Sequence, residues 1–203
     1  NDGKVPVALL FSGCDGPSDN AARWADKLAE AGWASVEVDS HTPRGLDEMN
    51  LWRLVCSGQA LPGVERAGDV AVAIADARAL PFADPARIAL VGASHGGWAV
   101  LDFLAFAGRG EVPPSLTGWP EGLAEDPLDG VVGAVMLYPY CGLLSEAGET
   151  AWQDRLPALF LLVEDDTITD EDACLDLIRA AEADGAPVEH HVYSGTTHGF
   201  DQQ

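Results

Sequence analysis

The ten residues Ile88-Ala89-Leu90-Val91-Gly92-Ala93-Ser94-His95-Gly96-Gly97 pass from an aliphatic run, through a turn bracketed by glycines, into an amphipathic stretch. Ile88–Val91 has the character of a buried strand, and from His95 to Ala107 apolar residues recur at helical spacing. Between them Gly92 to Gly96 spells G-x-S-x-G in strand-turn-helix context. Such a turn holds Ser94 in a strained backbone conformation, and a side chain at Gly92 or Gly96 would collide with neighbouring chain. The stretch therefore predicts a hydroxyl presented above the end of a sheet. A tight βα turn without chemistry has the same local pattern, so the partners of Ser94 decide its meaning.

Working outward, short apolar runs alternate with longer amphipathic ones. Val5–Phe11, Ala34–Val38, Ile88–Val91, Val131–Tyr138, Leu159–Val163 and Val188–Tyr193 read as strands, apolar enough to be buried on both faces. A helix capped by Ser18 or Asp19 places Ala22, Trp24 or Ala25, Leu28 and Ala29 at helical spacing and ends near Gly32. Asp69–Leu80 and His95–Ala107 are further helices, and Thr169 or Asp170 caps another that runs to about Asp184. This alternation predicts an α/β protein, a mostly parallel central sheet with helices on both faces. His41–Pro62, Gly108–Asp129 and Tyr140–Pro157 fit no regular element and read as long loops. Ligands of open α/β sheets bind where such loops leave the carboxyl ends of strands.

At ~150 residues per domain, the 203 residues predict one domain over residues 1–203. The chain begins at Asn1 and enters a strand by Val5, a start consistent with trimming at one or both ends or with a removed leader. With 33 acidic residues against 11 basic ones the net charge is -22, which repels phosphate backbones and anionic headgroups. The expected partner is a small molecule, with no nucleic acid and no membrane. No apolar run reaches the ~18 residues of a membrane span, so a soluble chain is expected, cytoplasmic or, if a leader was removed, periplasmic or secreted. Oligomeric state is not legible.

A serine nucleophile needs a histidine base, and that histidine needs an acid to orient it. His198, in the loop after Val188–Tyr193, follows in the chain order serine, acid, histidine. His41, His95, His190 and His191 compete, of which His190 and His191 sit in a strand and His41 in a long loop. Glu164-Asp165-Asp166 leave the strand Leu159–Val163 together, and one carboxylate facing the histidine suffices. The oxyanion donors would be the backbone N–H of His95 and, from the loop Ser12-Gly13-Cys14-Asp15-Gly16, that of Cys14. Trp98, Phe103, Tyr138, Tyr140 and Phe200 are candidate pocket walls. Cys14, Cys56, Cys141 and Cys174 form no metal-type pair. Cys141 and Cys174 follow neighbouring strands and are placed to join, whereas Cys14 reads as a free thiol beside the site.

Assembled, these residues resemble the dienelactone hydrolase family of α/β-hydrolases. Phe11–Gly16 looks like the family's H-G-C-G-G loop, Asp39–Gly45 like its D-S-x-x-P-R-G stretch, and Gly92–Gly97 like its elbow; Tyr138-Pro139, the acidic loop and His198-Gly199-Phe200 complete the series. The resemblance implies an α/β-hydrolase fold, selects Asp166 as the acid with Asp165 as the alternative, and makes His198 the base. Ser94 stands where the family's namesakes carry cysteine, and Ser12 where the oxyanion loop carries histidine. The arginines that hold the dienelactone carboxylate have no counterpart beyond Arg44. The family usually carries a helix after the histidine, whereas this sequence stops five residues beyond His198; trimmed ends would explain this, and a chain truly this short would anchor the histidine loop poorly.

The resulting expectation is a carboxylic ester hydrolase acting on small esters or lactones through an acyl-enzyme, with Ser94, Asp166 and His198 catalytic, Cys14 and His95 as oxyanion donors, and no metal or organic cofactor. The competing reading is a catalytically inactive α/β-hydrolase-fold binding or interaction protein. A phosphate cradle at Gly92–Gly97 lacks both G-x-G-x-x-G and a P-loop lysine, and a metal site at His190-His191 lacks ligand spacing.

Overall fold

Six apolar runs pair in one sheet because their backbone groups, once buried, can find partners only in each other. A computed structural model describes residues 3–149 and 156–202, without the side chains of Asp19, Gly148 and Glu149. The strands are β1 (Val5–Phe11), β2 (Ala34–Val38), β3 (Ala83–Ala93), β4 (Val131–Leu137), β5 (Ala158–Val163) and β6 (Val188–Tyr193). They lie in the order β2-β1-β3-β4-β5-β6, and every pair is parallel. The chain moves outward from β1 to β2, then returns past β1 to β3. With right-handed crossovers this reversal puts α1 (Asp19–Glu30) on one face, and α3 (Gly63–Ala79) and α4 (His95–Arg109) on the other. It also opens a crevice between the carboxyl ends of β1 and β3.

The core follows the two-sided burial expected of central strands. Val7, Ala8, Leu9, Ile88 and Leu90 are fully buried, as are Val70, Ala71 and Ile74 of α3 and Val100, Leu101 and Phe103 of α4. The edge strand β6 is largely exposed, His190 and His191 included, and β2 only half-buried. Helix α5 (Glu171–Ala183) starts at Asp170, whose side chain accepts from the Asp172 N–H. No helix among the described residues is long and apolar enough to cross a membrane.

Several boundaries differ from the sequence reading. Strand β3 runs longer at both ends, and α3 begins at Gly63 instead of Asp69. Two glycines hide that first turn, where close packing requires them: a Cβ on Gly63 would lie 2.3 Å from the Trp98 Nε1 and 2.5 Å from an Asp102 oxygen. The expected loop His41–Pro62 is partly helical, with a 3-10 turn at Thr42–Arg44, a single turn α2 (Glu48–Asn50) and a π-helical turn at Leu51–Val55. Asp47 caps it by accepting from the Asn50 N–H, and Leu51, Val55 and Leu61 form a small core of their own. In α1 Trp24, Ala25 and Leu28 face inward, while Ala22 and Ala29 are exposed. The Tyr140–Pro157 loop holds a 3-10 turn at Glu146–Glu149, and residues 150–155 lie outside the described residues.

Two disulfides fasten these loops. Cys141, after β4, bonds Cys174 in α5, as the strand order suggests. Cys14 is not a free thiol: it bonds Cys56 and ties the loop after β1 to the segment behind α2.

Candidate active site

The site assembles where β1, β3, β4 and β5 end. Phe11 pairs with Gly92 across β1 and β3, so the Ser12–Cys14 loop emerges beside the elbow. Ser94 sits there at φ 50° and ψ -113°, a conformation costly for a side-chain-bearing residue and held by its surroundings. The surroundings are tight, since a Cβ on Gly96 would stand 2.1 Å from the Phe11 carbonyl oxygen and one on Gly92 2.5 Å from the Gly96 carbonyl oxygen.

From Ser94 a line of hydrogen bonds crosses the strand ends. The Ser94 Oγ lies 2.9 Å from the His198 Nε2, and the His198 Nδ1 lies 2.7 Å from the Asp166 Oδ2. Asp166 is buried at 7% exposure, whereas Glu164 and Asp165 are exposed. Burial by itself would raise the Asp166 pKa, but hydrogen bonds from His198 and the Ile168 N–H, with the Thr169 hydroxyl, hold it below the ordinary value. The turn carrying Asp166 is clamped by Glu171, which accepts from the N–H groups of Asp165 at 2.6 Å and Asp166 at 2.9 Å.

His198 is firmly seated, against the expectation of a loose loop. Asp201 accepts hydrogen bonds from the Tyr138 hydroxyl, from Trp24 Nε1 at 2.7 Å and from Asn20 Nδ2 at 3.3 Å. Tyr138 packs edge-on against the His198 ring with centroids 4.6 Å apart, and Phe200 wedges between Tyr138 and Tyr193. Asp201 has no signal in the sequence beyond a lone acid after His198.

Beneath the elbow lies a buried polar cluster that sequence reasoning missed. Arg66, fully buried, donates to the Ser12 carbonyl at 2.8 Å, the Ser40 hydroxyl at 3.1 Å and the His95 Nδ1 at 3.0 Å. Burial lowers its pKa to about 10, so it stays charged at neutral pH. Burial, and then the charge of Arg66, push His41 down to about 4 and His95 well below its ordinary value. Both rings are therefore neutral, and His95 accepts from Arg66. Among the described residues His41 has no hydrogen-bond partner for either ring nitrogen, Ser94 included. Arg44 pairs with Asp69 at 2.9 and 3.0 Å and lines a separate groove beside β2.

A pocket of about 600 Å³ opens over the line of three side chains. Its lining includes Gly13, Cys14, Ser94 and His95, together with Tyr138, Thr169 and His198. Trp52, Val55 and Cys56 also line it, as do Asp15, Trp98, Tyr140 and Leu144. Of the expected aromatic walls, Phe103 is instead core and Phe200 packs behind Tyr138. Trp52, Leu144 and Ile168 are 64%, 60% and 67% exposed, which gives the mouth an apolar rim. No cluster of metal-ligating side chains occurs among the described residues.

A parallel sheet in this order, with a serine on a sharp β3–α4 turn, has the α/β-hydrolase fold. Residues 122–203 match the sequence profile of the dienelactone hydrolase family. Esterase 2 of Thermogutta terrifontis, phosphoramylated by tabun, superposes with a TM-score of 0.71 at 16% identity over 100% of this chain and 77% of its own. The dienelactone hydrolase-like promiscuous phosphotriesterase P91 from metagenomic libraries gives 0.67 at 17% identity over 98% and 73%. The carboxylesterase Cest-2923 of Lactobacillus plantarum WCFS1 gives 0.66 at 15% over 97% and 74%. No curated protein matches the chain in sequence.

Proposed function

We propose that this dienelactone hydrolase-like ester hydrolase cleaves small ester or lactone substrates through an acyl-enzyme on Ser94. The observation that carries the reading is the unbroken line Ser94 Oγ–His198 Nε2–Asp166 Oδ2, at 2.9 and 2.7 Å, beside an accessible pocket that Ser94 and His198 line. His198 takes the Ser94 proton as the oxygen attacks the carbonyl carbon, and Asp166 holds the imidazolium that forms. The backbone N–H groups of Cys14 and His95 face the developing oxyanion; one such donor contributes about 3 to 4 kcal/mol. Protonated His198 then gives its proton to the leaving alcohol. Water, deprotonated by His198, releases the acid and restores Ser94. No metal or organic cofactor enters this scheme.

Hydrolysis of a short-chain p-nitrophenyl ester series tests it. Wild type turns the esters over, and Ser94→Ala lowers kcat by ~10⁴-fold or more. Wild-type activity in Ser94→Ala contradicts the mechanism. Failure of wild type both to hydrolyse the esters and to react with an organophosphonate favours a binding module on the same fold.

A further inference from the structure

We propose that the site selects its ester by charge, taking substrates with a cationic group ahead of neutral ones and turning away those with a carboxylate, and that Asp15 sets this order. The inference rests on the esterase reading of Ser94 and names its substrate class.

Asp15 lines the pocket with Ser94 and His198. A methyl carbon built on Gly13 would stand 2.8 Å from the Asp15 Oδ1 and 3.8 Å from the Ser94 Cβ. One carbon's width thus separates the carboxylate from the nucleophile's side chain, and Asp15 is half-buried. Among the described residues no lysine or arginine lines the pocket. Arg66 is engaged beneath the oxyanion loop on Ser12, Ser40 and His95, and Arg44 on Asp69. The remaining lining includes the rings of Trp52, which is exposed, and of the half-buried Tyr140, and aromatic faces attract cations. A carboxylate on the substrate would therefore meet a like charge with nothing to offset it. Two unit charges ~6 Å apart at an effective dielectric of ~20 shift an equilibrium by about a hundredfold, which partial solvent exposure reduces to about tenfold.

The test uses three p-nitrophenyl esters whose acyl chains end in trimethylammonium, tert-butyl or carboxylate, and three acetates carrying the same groups on the alcohol. At ~0.15 M salt the Debye length of about 8 Å screens the rest of the acidic surface. In wild type kcat/KM follows the order cation, neutral, anion in at least one series, with about tenfold or more between the ends. Asp15→Asn compresses that ratio to within about threefold, and Asp15→Glu keeps it. An unchanged ratio in Asp15→Asn, or a carboxylate ester cleaved as fast as its tert-butyl isostere in both series, overturns the proposal. Calorimetric binding of the six compounds to Ser94→Ala reads the charge order without turnover. If wild type cleaves none of them the esterase reading fails, and the binding order still decides this one: absence of a charge order in binding overturns it.

Discussion

Two regions of the pocket are built on different principles. In one region Ser94, Asp166 and His198 stand at the ends of three strands whose neighbours are set by sheet pairing, and the hydrogen bonds between them span residues far apart in sequence. Elsewhere in the lining Trp52, Val55 and Cys56 belong to a segment with no place in the sheet, held by a disulfide and a small apolar core. The first region inherits its rigidity from the backbone ladder, the second from side chains. The proposed chemistry, which tolerates little displacement, thus sits on strand ends, and the rest of the lining sits on side-chain fastenings that can vary without disturbing the sheet.

Arg66→Met removes the buried polar support beneath the elbow and the loop after β1, with the largest effect expected of any residue outside the line Ser94–His198–Asp166. It strips donors from the Ser12 carbonyl, the Ser40 hydroxyl and the His95 Nδ1, at about 2 to 4 kcal/mol of stability. It also lowers kcat/KM by ~100-fold, because the same contacts support the oxyanion loop. Urea melts and ester kinetics on the variant check both numbers. A variant of wild-type stability and rate would show that the buried guanidinium supports nothing.

Reduction separates the two fastenings. Cys14–Cys56 lines the pocket and is half-buried, whereas Cys141 and Cys174 are 6% and 0% exposed. A dithiol reductant therefore opens Cys14–Cys56 first, and kcat/KM falls about tenfold as the wall loosens. Intact-mass measurement with alkylation at timed intervals reads the order. Earlier alkylation of Cys174, or full activity after Cys14–Cys56 opens, would contradict the assignment.

Asp201→Ala loosens the catalytic side instead, by releasing Tyr138, Trp24 and Asn20. The expected loss is about fivefold in kcat with little change in KM, since the contact acts through the seating of His198. Asp201→Asn recovers part of it. A change confined to KM would place Asp201 among substrate contacts.

The smallest effect concerns pH and the loop that carries Tyr140. Burial raises Asp102 from its ordinary 3.8 to about 7, and the hydrogen bonds from Ser145 and the Glu146 N–H offset only part of this. The folded state then holds a proton that the unfolded state has lost, so Asp102 makes stability fall as pH rises from about 4 to about 7. Asp102→Asn flattens that slope in thermal melts taken across the interval. A slope identical to wild type would show that Asp102 titrates normally.

What was legible in the sequence follows the same division. The elbow, the acidic turn after β5 and His198 could be read because each follows an apolar run that names its strand, and strand ends are where α/β chemistry gathers. Asp166 and Asp165 were separable only through the resemblance, since nothing local reveals which carboxylate turns inward. The Cys14–Cys56 bond was misread because residues 41–62 have no single period to position Cys56. Arg66 had a signal: it falls in the buried stripe of α3, between Gly63 and Val70 with Ala67 beside it, where a charged residue on an apolar face marks a buried polar contact. Asp201 had none, because its three partners come from α1 and the end of β4.

The most direct test of the central claim is reaction with a fluorophosphonate followed by peptide mass mapping, on wild type, Ser94→Ala and His198→Ala. The account predicts a single adduct on Ser94 in wild type, none in Ser94→Ala, and labelling slowed by ~10³-fold or more in His198→Ala. An adduct on another residue, or undiminished labelling without His198, would contradict it.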